Sequence, residues 1–150
     1  MDLSQAGNMA RTLMQEHGLT AWRFTTDNAR RRFGVCKHST QTISVSLPLM
    51  RLNSESVVRD TILHEIAHAK AGYGAGHGAY WQKIAQEIGA NPKRCYDSAE
   101  VQQPPKPWTG ICPNTTCGRV VQRYRRARIA CGKCCAGKFN AEYLFIWMRA

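Results

Sequence analysis

An α+β architecture in two parts is expected from three features of the 150 residues. Short runs alternating apolar and polar residues lie near the start, stretches with helical spacing flank them, and a proline-rich break precedes a strongly basic end. With 43% hydrophobic and 21% charged residues the composition is globular, and the length allows one ordinary domain or two small ones.

Taken in order, Ser4 can cap a first helix in which Ala6, Ala10, Leu13 and Met14 recur at helical spacing, and Gly18 after His17 offers a stop. Trp22, Phe24 and Thr26 then alternate with polar residues, as do Ile43, Val45 and Leu47, with a weaker strand over 32–37 between them. Together they predict a small antiparallel sheet. Ser54 opens a helix predicted over 54–71. At about 100° per residue, His64 and His68 share one side of it. Val58, Ile62, Ile66 and Ala69 fall broadly opposite, with Leu63 and Ala67 between, so this helix should be central and buried. Gly72, Gly74, Gly76 and Gly78 make its continuation unfavourable, and Trp81, Ile84, Ala85 and Ile88 resume helical spacing after the reversal.

The stretch 97–110 carries Pro104, Pro105 and Pro107 without hydrophobic periodicity and reads as a semi-rigid linker, which places a boundary near Gln103 and parts at 1–103 and 104–150. Charge divides at the same point. Residues 1–103 hold twelve basic and nine acidic side chains, whereas 104–150 hold nine basic and one acidic. No long amphipathic helix accompanies that charge, so a polyanion such as nucleic acid is the expected partner rather than a membrane. The longest strongly apolar run, 143–148, has six residues, against the roughly 20 a membrane span needs. The start of the chain has neither the basic nor the apolar region of a secretory signal, and an intracellular protein is expected.

The segment His64-Glu65-Ile66-Ala67-His68 has a spacing with a physical reason: residues four apart lie one above the other on a helix, so both imidazoles can meet one metal ion. Glu65 sits on their flank, where it can reach a water on that ion without being a ligand. A zinc ion so bound lowers the pKa of its water toward about 7, and Glu65 can take the proton. A third ligand is needed. His77, nine residues after His68 and between Gly76 and Gly78, is the preferred choice, with Glu87 on the next helix as its rival. Asp60 and Thr61 share the histidine side and can orient the ligands or simply belong to the helix start.

Seven cysteines in an intracellular chain point to metal rather than disulfides. Cys112 and Cys117, then Cys131 and Cys134, form two thiolate pairs thirteen residues apart, the spacing of a zinc ribbon, with 117–134 able to form a hairpin. Such a closed site would be structural. Cys135 can substitute for Cys134, while Cys36 and Cys95 read as buried free thiols. Between the pairs lie Arg119, Arg123, Arg125, Arg126 and Arg128 with Tyr124 among them, a combination suited to phosphates and an unpaired base without sequence readout.

With both constellations in place, the chain resembles the SprT-like family, whose eukaryotic members include the Spartan DNA-dependent proteases. The resemblance is carried by Trp22-Arg-Phe ahead of Asp27-Asn28-Ala29 and Arg32-Phe-Gly34, by Leu63-His-Glu-Ile-Ala-His68, by Gly76-His-Gly-Ala-Tyr-Trp81 and by Cys131-Gly-Lys-Cys134. It implies a zincin-like metalloprotease fold with His64, His68 and His77 on a catalytic zinc, Glu65 as the catalytic residue, and a second, structural zinc in the ribbon. It further implies cleavage of proteins attached to DNA, as in DNA–protein crosslink repair. The wider first cysteine pair, the extra Cys135 and the absence of long tails depart from the eukaryotic pattern. An oxyanion donor is expected, with Tyr73, Tyr80 and Tyr96 available. The expected protein is a monomeric, cytoplasmic or nucleoid-associated endopeptidase, nuclear if eukaryotic. The rival is a DNA-associated zinc-binding regulatory protein without turnover.

Overall fold

The computed structural model of the chain describes residues 1–93 and 101–150. Two compact units divide it, Met1–Pro104 and Pro105–Ala150.

The first unit opens with α1 (Leu3–Glu16), which buries Ala6, Ala10, Leu13 and Met14 as the spacing predicts. Its cap is Asp2 rather than Ser4. The Asp2 carboxylate accepts from the Gln5 amide at 2.8 Å and the Gln5 side chain returns a bond to the Asp2 amide at 3.1 Å, a reciprocal pair that Ser4, already inside the first turn, cannot make.

Strands β1 (Arg23–Asp27), β2 (Gly34–Lys37) and β3 (Thr42–Ser46) form a sheet in the order β1-β3-β2. The expected antiparallel sheet is in fact mixed. β2 and β3 run antiparallel through the short turn between them, but β3 then inserts beside β1 and runs parallel to it, with Arg23 opposite Thr42 and Asp27 opposite Ser46. Alternation reveals strands, not their direction.

All five residues of the central β3 are buried. Ile43 and Val45 enter the core, while the hydroxyls of the alternate positions are satisfied: Thr42 donates to the Thr40 carbonyl, Ser44 to Asp27 and Ser46 to the Ala29 carbonyl. Leu47, expected to extend this strand, instead begins α2 (Leu47–Leu52), with Ser46 as its cap and Pro48 in the first turn, where a missing N–H costs nothing.

Helix α3 (Glu55–Ala71) packs against α1, β2, β3 and α4 (Ala79–Glu87), with Val58, Ile62 and Ile66 fully buried. Ser54 holds the cap position, but its hydroxyl pairs with Ser56 rather than with the helix backbone. After α4 the chain returns to the same core through Val101. The buried Asn53 amide clasps Gln102 there, donating to its carbonyl at 2.9 Å and accepting from its N–H at 2.8 Å.

The second unit is a sheet in the order β5-β4-β6, formed by β4 (Trp108–Ile111), β5 (Val120–Arg123) and β6 (Ile146–Arg149), with the short helix α5 (Gly132–Cys135) between β5 and β6. Trp108 and Gly110, expected in the linker, belong to β4. The hairpin is β4–β5, closed around the first cysteine pair, rather than a hairpin over 117–134. The buried side chains Cys112, Cys131 and Phe145, with Cys117, Val121, Ile129, Cys134, Tyr143 and Trp147 against them, form the apolar centre of this unit. A core that small needs another source of stability. Among the described residues no helix is long and apolar enough to cross a membrane.

Candidate metal centre

His64 and His68 stand one turn apart on α3, and the helix ends at Gly72, whose amide still bonds the His68 carbonyl. Gly72, Gly74 and Gly76 then take φ of 89°, 85° and 54°, values that favour glycine and reverse the chain. The reversal brings the His77 ring back over the helix, and Gln82 on α4 donates to the His77 carbonyl at 3.1 Å. The His77 Nε2 lies 3.0 Å from the Nε2 of both His64 and His68.

Three converging nitrogens at that spacing fit a single ion: with Zn–N near 2.05 Å, a tetrahedral site places its nitrogens roughly 3.3 Å apart. Burial, then the neighbouring His68 and His77, push His64 down to about 4, and burial, then His77 and His38, do the same for His68. Both rings are therefore neutral at pH 7, the form that donates a lone pair to a metal. Trp81, fully buried on α4, packs its ring against all three imidazoles at centroid distances of 4.7, 5.2 and 4.6 Å. Trp81 resumes helical spacing after the reversal, but nothing in the sequence pattern shows its contact with the triad. Glu87, the rival ligand, is exposed on α4 with Lys83 at 3.9 Å and takes no part.

Glu65 is 6% exposed and turns toward β2, where the Cys36 amide bonds its carboxylate. It rests directly on Gly34: a Cβ at that position would lie 2.6 Å from Oε1 and 2.8 Å from Cγ of Glu65. Burial raises the Glu65 pKa to about 8, against the opposing pull of the Arg32 charge and the Cys36 amide. His64, Glu65, His68 and His77 all line one cleft of about 510 Å³ in the first unit.

Of the other candidates, Asp60 also lines the cleft and accepts from the Asn91 amide at 2.8 Å, whereas the Thr61 hydroxyl donates to the Val57 carbonyl. Tyr73 and Tyr80 are exposed and outside the cleft lining, with Tyr73 edge-on to His38. Cys36 is a half-buried thiol on the cleft wall, pushed up to about 12 by burial and by Glu65, with His38 Nε2 at 3.7 Å. Tyr96 and Cys95 lie outside the described residues.

In the second unit Cys112, Cys117, Cys131 and Cys134 converge. The sulfurs of Cys112 and Cys134 are 3.7 Å apart and those of Cys117 and Cys131 3.8 Å. These separations are far beyond a disulfide of about 2.05 Å. They equal the roughly 3.8 Å edge of a zinc tetrahedron with Zn–S near 2.3 Å. The amides of Cys134 and Lys133 are directed at the Cys131 sulfur and hold its pKa down at about 6, favouring the ligating thiolate. Cys135 stands outside this cluster; its thiol faces the Asn140 carbonyl at 3.8 Å.

The arginine segment divides. Tyr124, Arg125, Arg126 and Arg128 line a shallow groove together with Trp108 and Trp147, two aromatic rings the sequence reading missed. Arg126 lies over the Trp108 ring at 4.7 Å, and Trp147 Nε1 donates to the Ala127 carbonyl at 3.0 Å. Arg119 and Arg123 are exposed but outside this groove.

A helix-borne histidine pair joined by a third imidazole after a tight reversal, with a buried carboxyl on the same cleft, places the first unit in the class of zincin-like metallopeptidase-type domains. The family-level comparison agrees, since the SprT-like family model matches residues 6–102. The chain belongs to the SprT-like family. Among curated proteins, none matches it.

Proposed function

We propose that the chain is a zinc-dependent endopeptidase acting on proteins bound to DNA, with the basic ribbon making a sequence-independent contact to the nucleic acid. The observation that carries the reading is the position of Glu65, buried against Gly34 yet opening onto the cleft shared by three converging imidazoles. Zinc held by His64, His68 and His77 would polarise a scissile carbonyl and acidify a water.

Glu65, in the carboxylate form that a dication held by the triad would favour, accepts the proton of the attacking water and returns it to the departing amine. Its carboxyl faces the Cys36 amide and is shielded from bulk solvent, which limits the reorganisation needed before the proton moves. β2 is an edge strand of its sheet and contributes Gly34, Val35 and Cys36 to the cleft, so an extended peptide can lie along that edge and pair with it. Contact with DNA is supported by the groove in which Arg125, Arg126 and Arg128 stand beside Trp108, Tyr124 and Trp147, because cations meet phosphates while flat rings stack on bases.

The test is a digest of histone and casein, with and without single-stranded DNA, by the parent chain and by Glu65→Gln. The substitution should keep the metal content and lower cleavage by a factor of about 100 or more. Undiminished cleavage by Glu65→Gln would overturn the mechanism, and intact substrates with the zinc-loaded parent under both conditions would overturn the peptidase reading.

A further inference from the structure

The ribbon carries one exposed aromatic ring that neither the cysteine cluster nor the arginine groove accounts for. Phe139 lies outside the buried centre of this unit and outside the groove lining, and it is 63% exposed. A phenyl ring left in water forgoes the stabilisation that burial would bring.

Its place is fixed from both sides. Before it, α5 ends in Ala136 and Gly137 at φ of 44° and 87°, and the Lys138 amide returns to the Cys135 carbonyl at 2.9 Å. After it, the Asn140 side chain accepts from the Glu142 amide at 2.9 Å and opens the turn Ala141–Tyr143. The ring therefore hangs from the helix that carries Cys134, and a ligand that meets it has no loose loop to order.

The surroundings set the charge of that ligand. The Arg128 guanidinium stands over the Phe139 ring at 5.8 Å, and the same Arg128 lines the groove with Trp108, Tyr124 and Trp147, so it joins the ring to the groove. Lys133 and Lys138, on the same short stretch, are exposed. Every residue of 105–150 is described, and these residues hold nine basic side chains against one acidic, Glu142, whose carboxylate accepts from the Asn140 side chain at 3.3 Å. An apolar protein partner would strip water from Arg128 without pairing it, at a cost. A nucleic-acid strand instead meets the cation with a phosphate and the ring with a base.

We propose that Phe139 is a stacking station for an unpaired base, set beyond the groove and joined to it by Arg128, which pairs with the phosphate between. The strand it takes is single, because in a duplex the bases are stacked on each other and closed to the ring. The inference rests on the DNA contact proposed above and adds to it the form of the nucleic acid and a residue outside the groove.

The test uses the zinc-loaded full chain and three fluorescent probes of equal length: an oligothymidylate, the same sugar-phosphate chain without bases, and a duplex. Anisotropy should show Phe139→Ala weakening the oligothymidylate by a factor of about 5 to 150, while the abasic chain and the duplex bind as they do to the parent. Its salt dependence should stay that of the parent, because no cation is lost, whereas Arg128→Gln should flatten the slope by about 0.7. Phe139→Tyr keeps a flat ring and should bind as the parent does. Phe139→Leu keeps the bulk alone and should bind as Phe139→Ala does, with zinc content unchanged in every variant. Parent-like binding of the oligothymidylate by Phe139→Ala or by Phe139→Leu overturns the proposal. So does an equal loss on the abasic chain, which would make the ring a prop for Arg128 rather than a platform for a base. A parent that binds none of the probes removes the DNA contact itself, and with it this inference. A parent that binds while Phe139→Ala matches it on every probe removes the Phe139 assignment alone.

Discussion

Replacing Gly34 by alanine adds one methyl group at the point where the carboxyl of Glu65 leans on the edge strand. The new Cβ would stand 2.6 Å from Oε1, 2.8 Å from Cγ and 3.0 Å from Cδ of Glu65. Favourable carbon contacts lie at about 3.5–4.0 Å, so the shortfall is close to 1 Å and something must move. Gly34 belongs to a strand paired with Val45 on the fully buried β3, which leaves the Glu65 side chain as the part free to yield. Overpacking of this kind costs about 1–3 kcal/mol. If that strain falls on the working position of Glu65, kcat drops by a factor of roughly 5 to 150, with each 1.36 kcal/mol worth a factor of ten. Cleavage of a protein substrate, metal content and urea unfolding should be measured together. Gly34→Ala should keep its metal and lose about 1–3 kcal/mol of stability along with the activity. Glu65→Asp, which draws the carboxyl back, should relieve the stability loss in the double variant, giving a coupling above about 0.5 kcal/mol. Full activity in Gly34→Ala, or strictly additive stabilities, would refute the reasoning.

Two further predictions concern charge. Burial raises the pKa of Asp27, but the Ser44 hydroxyl, the Ala29 amide and Arg32 outweigh it and leave the value below normal. A carboxylate depressed in the folded state stabilises the fold above its unfolded pKa of about 3.9 and loses that contribution as pH falls through the folded value. Urea unfolding between pH 2 and 7 should therefore show Asp27→Asn less stable by about 1–2 kcal/mol at pH 7, with the difference closing below about pH 4; a difference that widens in acid would contradict this. In the ribbon, neutralising Arg123, Arg125, Arg126 and Arg128 should weaken DNA binding and flatten its dependence on salt by about 0.7 per lost phosphate contact on a single strand. Unchanged affinity at low and high salt would exclude the arginine segment as the contact.

The metal centre was legible in the sequence because its geometry is local. A spacing of four fixes two imidazoles on one helix face, glycines permit one tight reversal, and the cysteine pairs carry their own spacing. Sheet direction was not legible, since the period of β1 and β3 is the same whether they run parallel or antiparallel. Two misreadings had signals in plain view. Asp2-Leu-Ser-Gln5 is itself a capping pattern, and Ser46 followed by Leu47 and Pro48 announces a helix start, although Leu47 also continues the strand's alternation. The role of Gly34 and the meeting of Arg128 with Phe139 depend on contacts between separated segments, and no local pattern encodes those.

Zinc counted per chain by mass spectrometry of the purified protein bears most directly on the histidine triad. The parent should carry two ions, falling to one in His77→Ala and to one in Cys131→Ser, and remaining two in Glu87→Ala and Cys135→Ser. Two ions retained by His77→Ala, with one lost on Glu87→Ala, would contradict the centre described here.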